Sequence, residues 1–86
     1  KELFVRNGVI CWHAKSKDHT ADYIALFNLN DNKINNYIFD LKEINHIGNS
    51  IAEELWLKNS FKINNNTIEL SINPHGVKLI KIKNKN

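Results

Sequence analysis

The stretch YIALFNL, residues Tyr23–Leu29, decides the fold class of this 86-residue chain. It is a short apolar run rich in aromatic and β-branched residues and bounded by polar ones, which is typical of a β-strand. Alternate side chains of a strand point to opposite faces. Both faces are apolar here, with Tyr23, Ala25, Phe27 and Leu29 on one side and Ile24 and Leu26 on the other. A strand of this kind is usually central and covered on both faces, so we expect Phe27 to be deeply buried.

Similar short runs lie on either side of this strand. Leu3–Arg6 and Val9–Ala14 are separated by Asn7-Gly8, the strongest short hairpin signal, because a type I′ turn needs positive φ at both central residues. The polar segment Lys15–Asp22 reads as a turn. Further strands are predicted at Asn35–Asp40, Ile51–Leu57, Phe61–Asn64, Thr67–Asn73 and Val77–Lys83.

The connections between these runs are too short for parallel crossovers, so the strands are expected to pair antiparallel. The sequence therefore predicts an all-β fold, a two-sheet antiparallel β-sandwich of about eight short strands with Greek-key-like connections. Residues 1–86 are expected to form one domain. Within Leu41–Asn49 we expect a single helical turn closed by Gly48. Trp56, between Leu55 and Leu57, is expected to be deeply buried in its strand.

Composition narrows the classes of partner. The net charge is +3, but the densest basic run is Lys78, Lys81, Lys83 and Lys85, most of which fits one solvent face of the last strand. Because no aromatic platform accompanies it, we expect no nucleic-acid binding. No apolar run approaches the ~18–20 residues of a membrane span, so no membrane partner is expected. The chain has no methionine and begins Lys-Glu-Leu, which predicts an excised domain or a processed piece of a larger protein.

Carboxylate pairs and nucleophiles give little indication of catalysis. Glu53 and Glu54 are adjacent, and neighbours on a strand point to opposite faces, so we expect two solvated charges and not an acid–base pair. Ser16, Asp18 and His19 have the residue types of a catalytic triad, but they lie in one loop without a strand or helix to fix their geometry. We therefore predict no catalytic residue.

Metal and cofactor sites are equally weakly indicated. Cys11 is the only cysteine, which excludes an internal disulfide and a Cys₄ zinc site. Cys11 and His13 share a strand face, but a metal site would need further ligands from His19, His46 or His75, and none is predicted beside them. We expect a buried Cys11 and a surface His13. The three glycines stand far apart, so no phosphate loop is present. No metal-binding or cofactor-binding residue, and no cofactor, is predicted.

The aromatic residues leave two interpretations open. Trp12, Tyr23 and Trp56 are candidates for the exposed stacking platform of a carbohydrate-binding module. Aromatic residues within apolar strands more often pack in a core or against another domain. Strand alternation puts Ile10 and Trp12 on one face and Val9, Cys11 and His13 on the other, and both faces carry apolar side chains. The pattern therefore does not decide whether Trp12 is buried.

Three stretches resemble, in order and spacing, the C-terminal β-sandwich of melibiase-type α-galactosidases and α-N-acetylgalactosaminidases. They are IALFNLND (Ile24–Asp31), ELW (Glu54–Trp56) and PHGVKLIKI (Pro74–Ile82). Phe39–Leu41 is also similar to the family's link before the LW strand. In this family a catalytic (β/α)₈ barrel precedes the sandwich and carries both catalytic aspartates, so neither can be carried over to this chain.

The resemblance implies a non-catalytic C-terminal accessory domain of a glycoside hydrolase, which packs against the catalytic barrel of the same polypeptide. The physical argument agrees, since a small sandwich with a thin core is stabilised by docking on a larger neighbour. The alternative is an independent carbohydrate-binding module, with carbohydrate as its partner. A small hydrolase in its own right has almost no residues to support it.

Overall fold

The computed structural model describes residues 1–46 and 50–84, and most of these residues lie in β-strands. The strands are β1 (Glu2–Arg6), β2 (Val9–Lys15), β3 (Ala21–Asn28), β4 (Ile34–Asp40), β5 (Ser50–Glu54), β6 (Ser60–Phe61), β7 (Thr67–Ile72) and β8 (Val77–Asn84). The only helical element in the described ranges is a 3₁₀ turn, Leu41–Ile44. The predicted all-β class is confirmed.

The strands form two antiparallel sheets. Six strands are hydrogen-bonded in the order β1-β2-β3-β8-β5-β6, and β4 pairs with β7 in a two-stranded sheet. In the larger sheet β3 lies between β2 and β8, so the prediction of a central strand is confirmed for residues 23–28, and Leu29 lies just beyond its end. The chain leaves this sheet after β3 and returns to its centre only with β8.

The hairpin between β1 and β2 turns where the sequence predicts it. Asn7 has φ 50° and Gly8 has φ 78°, and Arg6 lies opposite Val9 in the ladder. Glycine adopts positive φ without the steric cost that a side chain would impose. The turn is packed closely, because a Cβ at Gly8 would lie 2.6 Å from Asn30 Nδ2.

The hydrophobic core lies between the two sheets. Phe4 of the large sheet stacks on Phe39 of the small one, with ring centroids 6.4 Å apart. Both sheets contribute side chains from their inner faces, and the buried cluster is Phe4, Val9, Cys11, Ile24, Leu26, Phe39, Leu41, Ile44, Ala52, Ile68, Leu70, Ile72, Ile80 and Ile82. Burial of each large aliphatic side chain stabilises the fold by roughly 1.5–3 kcal/mol. The two-sheet sandwich is confirmed.

Two burial predictions are wrong. Phe27 is 37% exposed, because the two-stranded sheet covers only the face of β3 that carries Ile24 and Leu26. Trp56 is 60% exposed, because β5 ends at Glu54 and residues 55–57 form a turn. The backbone N–H of Glu54 donates to Asn59 O at 2.7 Å and closes that turn.

The predicted helical turn is present, but its cap differs from the expectation. The Asp40 side chain accepts a hydrogen bond from Lys42 N at the start of the 3₁₀ turn. The turn ends at Asn45, which has φ 57°, a conformation that asparagine tolerates better than most residues. The predicted cap Gly48 lies outside the described residues.

Candidate functional site

The outer face of the six-stranded sheet carries two consecutive rows of apolar side chains. Residues paired across neighbouring strands share a face, so the pairing register gives the rows directly. The first row crosses four strands and consists of Val5, Ile10, Phe27 and Val77. The second row crosses three strands and consists of Trp12, Ala25 and Leu79. We call these seven residues the outer apolar face.

No second layer of described residues covers the outer apolar face. Val5 is 54% exposed and Trp12 is 46% exposed. Trp12, Tyr23, Leu55 and Leu79 also line a shallow groove of about 240 Å³ on this side of the sheet. Contiguous exposed apolar surface of this kind usually marks an interaction site.

The row beyond the outer apolar face is polar. It places Tyr23 opposite Lys81, and Lys81 opposite Glu53. The ammonium group of Lys81 lies 5.8 Å from the centre of the Tyr23 ring. An apolar centre with a charged margin is the usual anatomy of a protein–protein interface.

Glu53 and Glu54 point to opposite faces of the sheet, as predicted, but Glu54 is not a solvated charge. Its side chain is buried, and its Oε1 accepts a hydrogen bond from Lys78 Nζ at 3.0 Å. Its Oε2 accepts from Leu57 N at 3.3 Å. The prediction of two solvated carboxylates is therefore wrong for Glu54, because the turn after β5 folds over it.

Ser16, Asp18 and His19 lie in one loop, but their hydrogen bonds are not those of a triad. Asp18 Oδ1 accepts bonds from Ser16 Oγ at 2.7 Å and from Thr20 N and Oγ1. These bonds from Ser16 and Thr20 lower the pKa of Asp18 to about 2. The serine hydroxyl thus donates to the aspartate and not to a histidine, and the cluster shapes the turn before β3.

Cys11 is fully buried, as predicted, and His13, which was expected at the surface, is partly buried, with its side chain 19% exposed. His13 Nε2 lies 2.7 Å from Asp22 Oδ1, and His46 Nδ1 lies 2.8 Å from Asp22 Oδ2. The structure therefore brings His46 beside His13, which the sequence did not indicate. The sequence predicts Asp22 at the end of a turn, but it lies in β3, and its apolar neighbours Ala21 and Tyr23 are the signal for that strand. Within residues 1–46 and 50–84 no three potential ligands are placed to hold a metal ion.

The three candidate aromatic residues do not form one platform. Trp12 and Tyr23 line the groove on the outer side of the large sheet. Trp56 lies in the turn after β5, in a recess that it shares with Glu54 and Lys78. Each tryptophan therefore belongs to a different surface.

The family of the chain follows from its sequence. The model of a family described as the alpha galactosidase C-terminal beta sandwich domain matches residues 6–82. The chain belongs to this family. The resemblance carried by Ile24–Asp31, Glu54–Trp56 and Pro74–Ile82 is confirmed. No curated protein matches the sequence of this melibiase-type C-terminal domain.

Three solved structures with the same fold belong to much longer chains. A β-L-arabinopyranosidase from Geobacillus stearothermophilus is 17% identical with a TM-score of 0.85; the match covers 100% of this domain and 20% of that chain. A putative α-N-acetylgalactosaminidase from Bacillus halodurans is 18% identical with a TM-score of 0.82, over 100% of this domain and 20% of that chain. α-Galactosidase I from Mortierella vinacea is 20% identical with a TM-score of 0.80, over 98% and 23%. The domain spans about a fifth of the length of these chains.

The described residues include no helix that is long and apolar enough to cross a membrane.

Proposed function

We propose that this chain is a non-catalytic C-terminal accessory domain of a glycoside hydrolase, which docks through its outer apolar face on the catalytic barrel of the same polypeptide. The family membership supports the glycoside hydrolase context. The solved structures with this fold are chains in which the sandwich accounts for about a fifth of the length. If this domain likewise belongs to a longer polypeptide, the rest of that polypeptide is the natural partner of the outer apolar face.

The observation that carries the proposal is the pair of apolar rows on an uncovered face. Ile10, Phe27 and Val77 lie side by side on three neighbouring strands. Exposing such a surface to water is unfavourable by about 25 cal/mol for each Å² of apolar area. Contact with a second domain, which typically buries ~600–1,500 Å², removes that cost and stabilises a small sandwich.

The absence of catalysis is supported by the placement of the carboxylates. Glycosidases of the common type use two carboxyl groups that face each other across the scissile bond. Glu53 and Glu54 point to opposite faces, and Glu54 is held by Lys78. We expect the purified 86-residue chain to release no nitrophenol from an aryl α-galactoside, whereas the complete reading frame that contains residues 1–86 releases it. Hydrolysis by the 86-residue chain would contradict the proposal.

Docking is tested by the accessibility of Trp12. Hydroxyl-radical footprinting read by mass spectrometry reports the accessibility of Trp12 by itself, whatever other tryptophans the complete protein contains. We expect oxidation of Trp12 to be several-fold slower in the complete protein than in the 86-residue chain. Equal oxidation in both would show that this face is not the docking surface.

A matched pair of variants locates the contact. Phe27→Lys, made in the complete protein, is expected to restore the fast oxidation of Trp12, because a charge then lies in the apolar contact. Ile38→Lys is the control, since Ile38 is 58% exposed but lies on β4 of the other sheet. If both variants have the same effect, the outer apolar face has no special role.

A further inference from the structure

A cleft opens at one end of the sandwich, between the two sheets, and we call it the end cleft. Its volume is about 500 Å³, within the range of roughly 300–1,000 Å³ of small-molecule sites. Polar side chains from both sheets line it, including Asn35, Asn36, Glu54, Asn59, Glu69 and Lys78. The end cleft shares no residue with the outer apolar face, so docking through that face does not account for the end cleft.

Local irregularities of the strands give the end cleft its polar lining. The pairing of β4 with β7 shifts register between Ile34 and Tyr37, and Asn35 and Asn36 are consecutive exposed residues at that point. Such irregularities often redirect side chains next to binding sites. On the other sheet β5 stops at Glu54, and the turn that follows carries Leu57 and Asn59 to the cleft.

Glu54 is the buried polar group of the end cleft. One carboxylate oxygen accepts a bond from Lys78 Nζ and the other accepts a long bond of 3.3 Å from Leu57 N. An ionised carboxylate offers about four acceptor positions, so Glu54 retains capacity for hydroxyl donors from a ligand. The amides of Asn35 and Asn59 can both donate and accept, and Asn36, whose Nδ2 donates to Glu69 Oε2, still offers its carbonyl oxygen and its second N–H. This mixture matches the hydroxyl groups of a sugar, which also donate and accept.

Trp56 supplies an apolar surface beside these polar groups. It lines a neighbouring recess of about 270 Å³, which shares Glu54, Leu57 and Lys78 with the end cleft. An exposed indole presents an apolar face on which the C–H face of a pyranose ring can stack. Trp12, by contrast, has Ala25 opposite it in the ladder, and Leu79 lies one strand further. Of the two tryptophans, Trp56 is the one placed beside a buried carboxylate.

We propose that the end cleft and Trp56 together bind a neutral saccharide on the accessory domain. The charged groups that line the cleft are Glu54, Glu69 and Lys78, which leaves a net negative charge and disfavours an anionic ligand. A neutral ring with several hydroxyls meets the carboxylates, amides and indole without bringing a charge into the site. The end cleft itself lies apart from the outer apolar face, and the recess of Trp56 borders that face at Val77.

The test uses a Trp12→Phe variant of the 86-residue chain, in which Trp56 is the single tryptophan. Galactose, arabinose and glucose are titrated separately while the fluorescence is recorded. We expect a saturable change with at least one sugar and a dissociation constant of about 1–10 mM. Failure of all three sugars to produce a saturable change would overturn the proposal.

Adjacent glutamates provide the matched control. In the Trp12→Phe background, Glu54→Gln is expected to weaken sugar binding about tenfold, because a charged acceptor is lost. Glu53→Gln is expected to leave binding unchanged, since Glu53 points to the other face of the sheet. Equal weakening by both variants would overturn the proposal.

Asn36→Ala tests the site without touching the buried ion pair. It is expected to weaken binding at least threefold, and unchanged affinity in this variant would count against the site.

Discussion

Asp22 Oδ2 lies 2.8 Å from His46 Nδ1. This contact joins Asp22, near the start of β3, to His46, just after the 3₁₀ turn. The other oxygen of Asp22 lies 2.7 Å from His13 Nε2 and 3.1 Å from Lys15 Nζ. Asp22 and His46 are both buried. The carboxylate of Asp22 thus connects the six-stranded sheet to the segment that leads from β4 to β5.

Acid should weaken the fold through Asp22. Burial by itself would raise the pKa of this carboxyl group, but hydrogen bonds from His13, His46 and Lys15 outweigh it and hold the pKa below its ordinary value of 3.8. Because the pKa is lower in the folded state than in the unfolded state, the stabilisation is complete above about pH 4. It is lost as the pH falls through the lowered value.

We therefore expect Asp22→Asn to reduce the free energy of unfolding by about 2–3 kcal/mol at neutral pH. The difference from the unmodified chain should narrow below about pH 4. Urea unfolding between neutral and acid pH measures both effects. Asp31→Asn, on an exposed side chain, is the control that should change little. A difference for Asp22→Asn that stays constant down to acid pH would contradict the assignment.

Leu26 and Phe27 are neighbours that should respond very differently to truncation. Leu26 is fully buried between the sheets, so Leu26→Ala should cost about 2–5 kcal/mol. Phe27 lies on the outer apolar face, so Phe27→Ala should cost less than about 1 kcal/mol in the 86-residue chain. Thermal melts of both variants decide this. A larger loss for Phe27→Ala than for Leu26→Ala would show that the inner and outer faces are assigned the wrong way round.

Leu26 and Phe27 also show which part of the fold the sequence pattern does not predict. The alternation in Tyr23–Leu29 predicts a central strand and separates the two faces correctly. It does not say which face meets the second sheet, because Phe27 and Tyr23 are as apolar in pattern as Ile24 and Leu26. The buried face is decided by the two-stranded sheet of β4 and β7, which covers only one side of the six-stranded sheet. The outer apolar face, which we propose contacts another domain, has the same apolar composition as the core.

Cys11 should be unreactive while the domain is folded. It is fully buried, and burial raises the pKa of its thiol to about 12. The thiolate is the reactive form, so both access and ionisation oppose modification. We expect labelling by a disulfide reagent to occur only through opening of the fold, at a rate that rises steeply with urea. Labelling as fast as that of a free thiol in native buffer would contradict the burial.

Removing the cation beside Glu54 should be costly. Lys78→Met leaves a buried carboxylate without its partner, and we expect a loss of about 1–3 kcal/mol, reduced from the fully buried case because Lys78 retains some exposure. Lys81→Met is the control, because Lys81 points to the outer face beside Tyr23. Chemical denaturation of the two variants gives the comparison. Equal stabilities would mean that the Glu54–Lys78 pair contributes little to the fold.

The end cleft lay beyond sequence reasoning for a different reason. Asn7-Gly8 predicts its own turn because the information is contained in two adjacent residues. The end cleft combines Asn35 and Asn36 with Glu54 and Lys78, which come from separate strands, and its polar lining depends on where β4 shifts register and where β5 stops. Neither feature has a strong local signal. Glu54, for instance, reads as a solvated strand-end charge until the following turn is seen to cover it.

The position of β8 imposes an order on synthesis. Phe27 on β3 pairs with Val77 on β8, and more than half of the chain separates the two. On the ribosome, β3 and β5 therefore emerge with open edges and remain so until the last strand is made. Non-local pairing of this kind slows folding, and unpaired edges favour aggregation in the meantime. The large sheet is thus completed only after residues 77–84 have emerged, because β8 is the strand that joins β3 to β5.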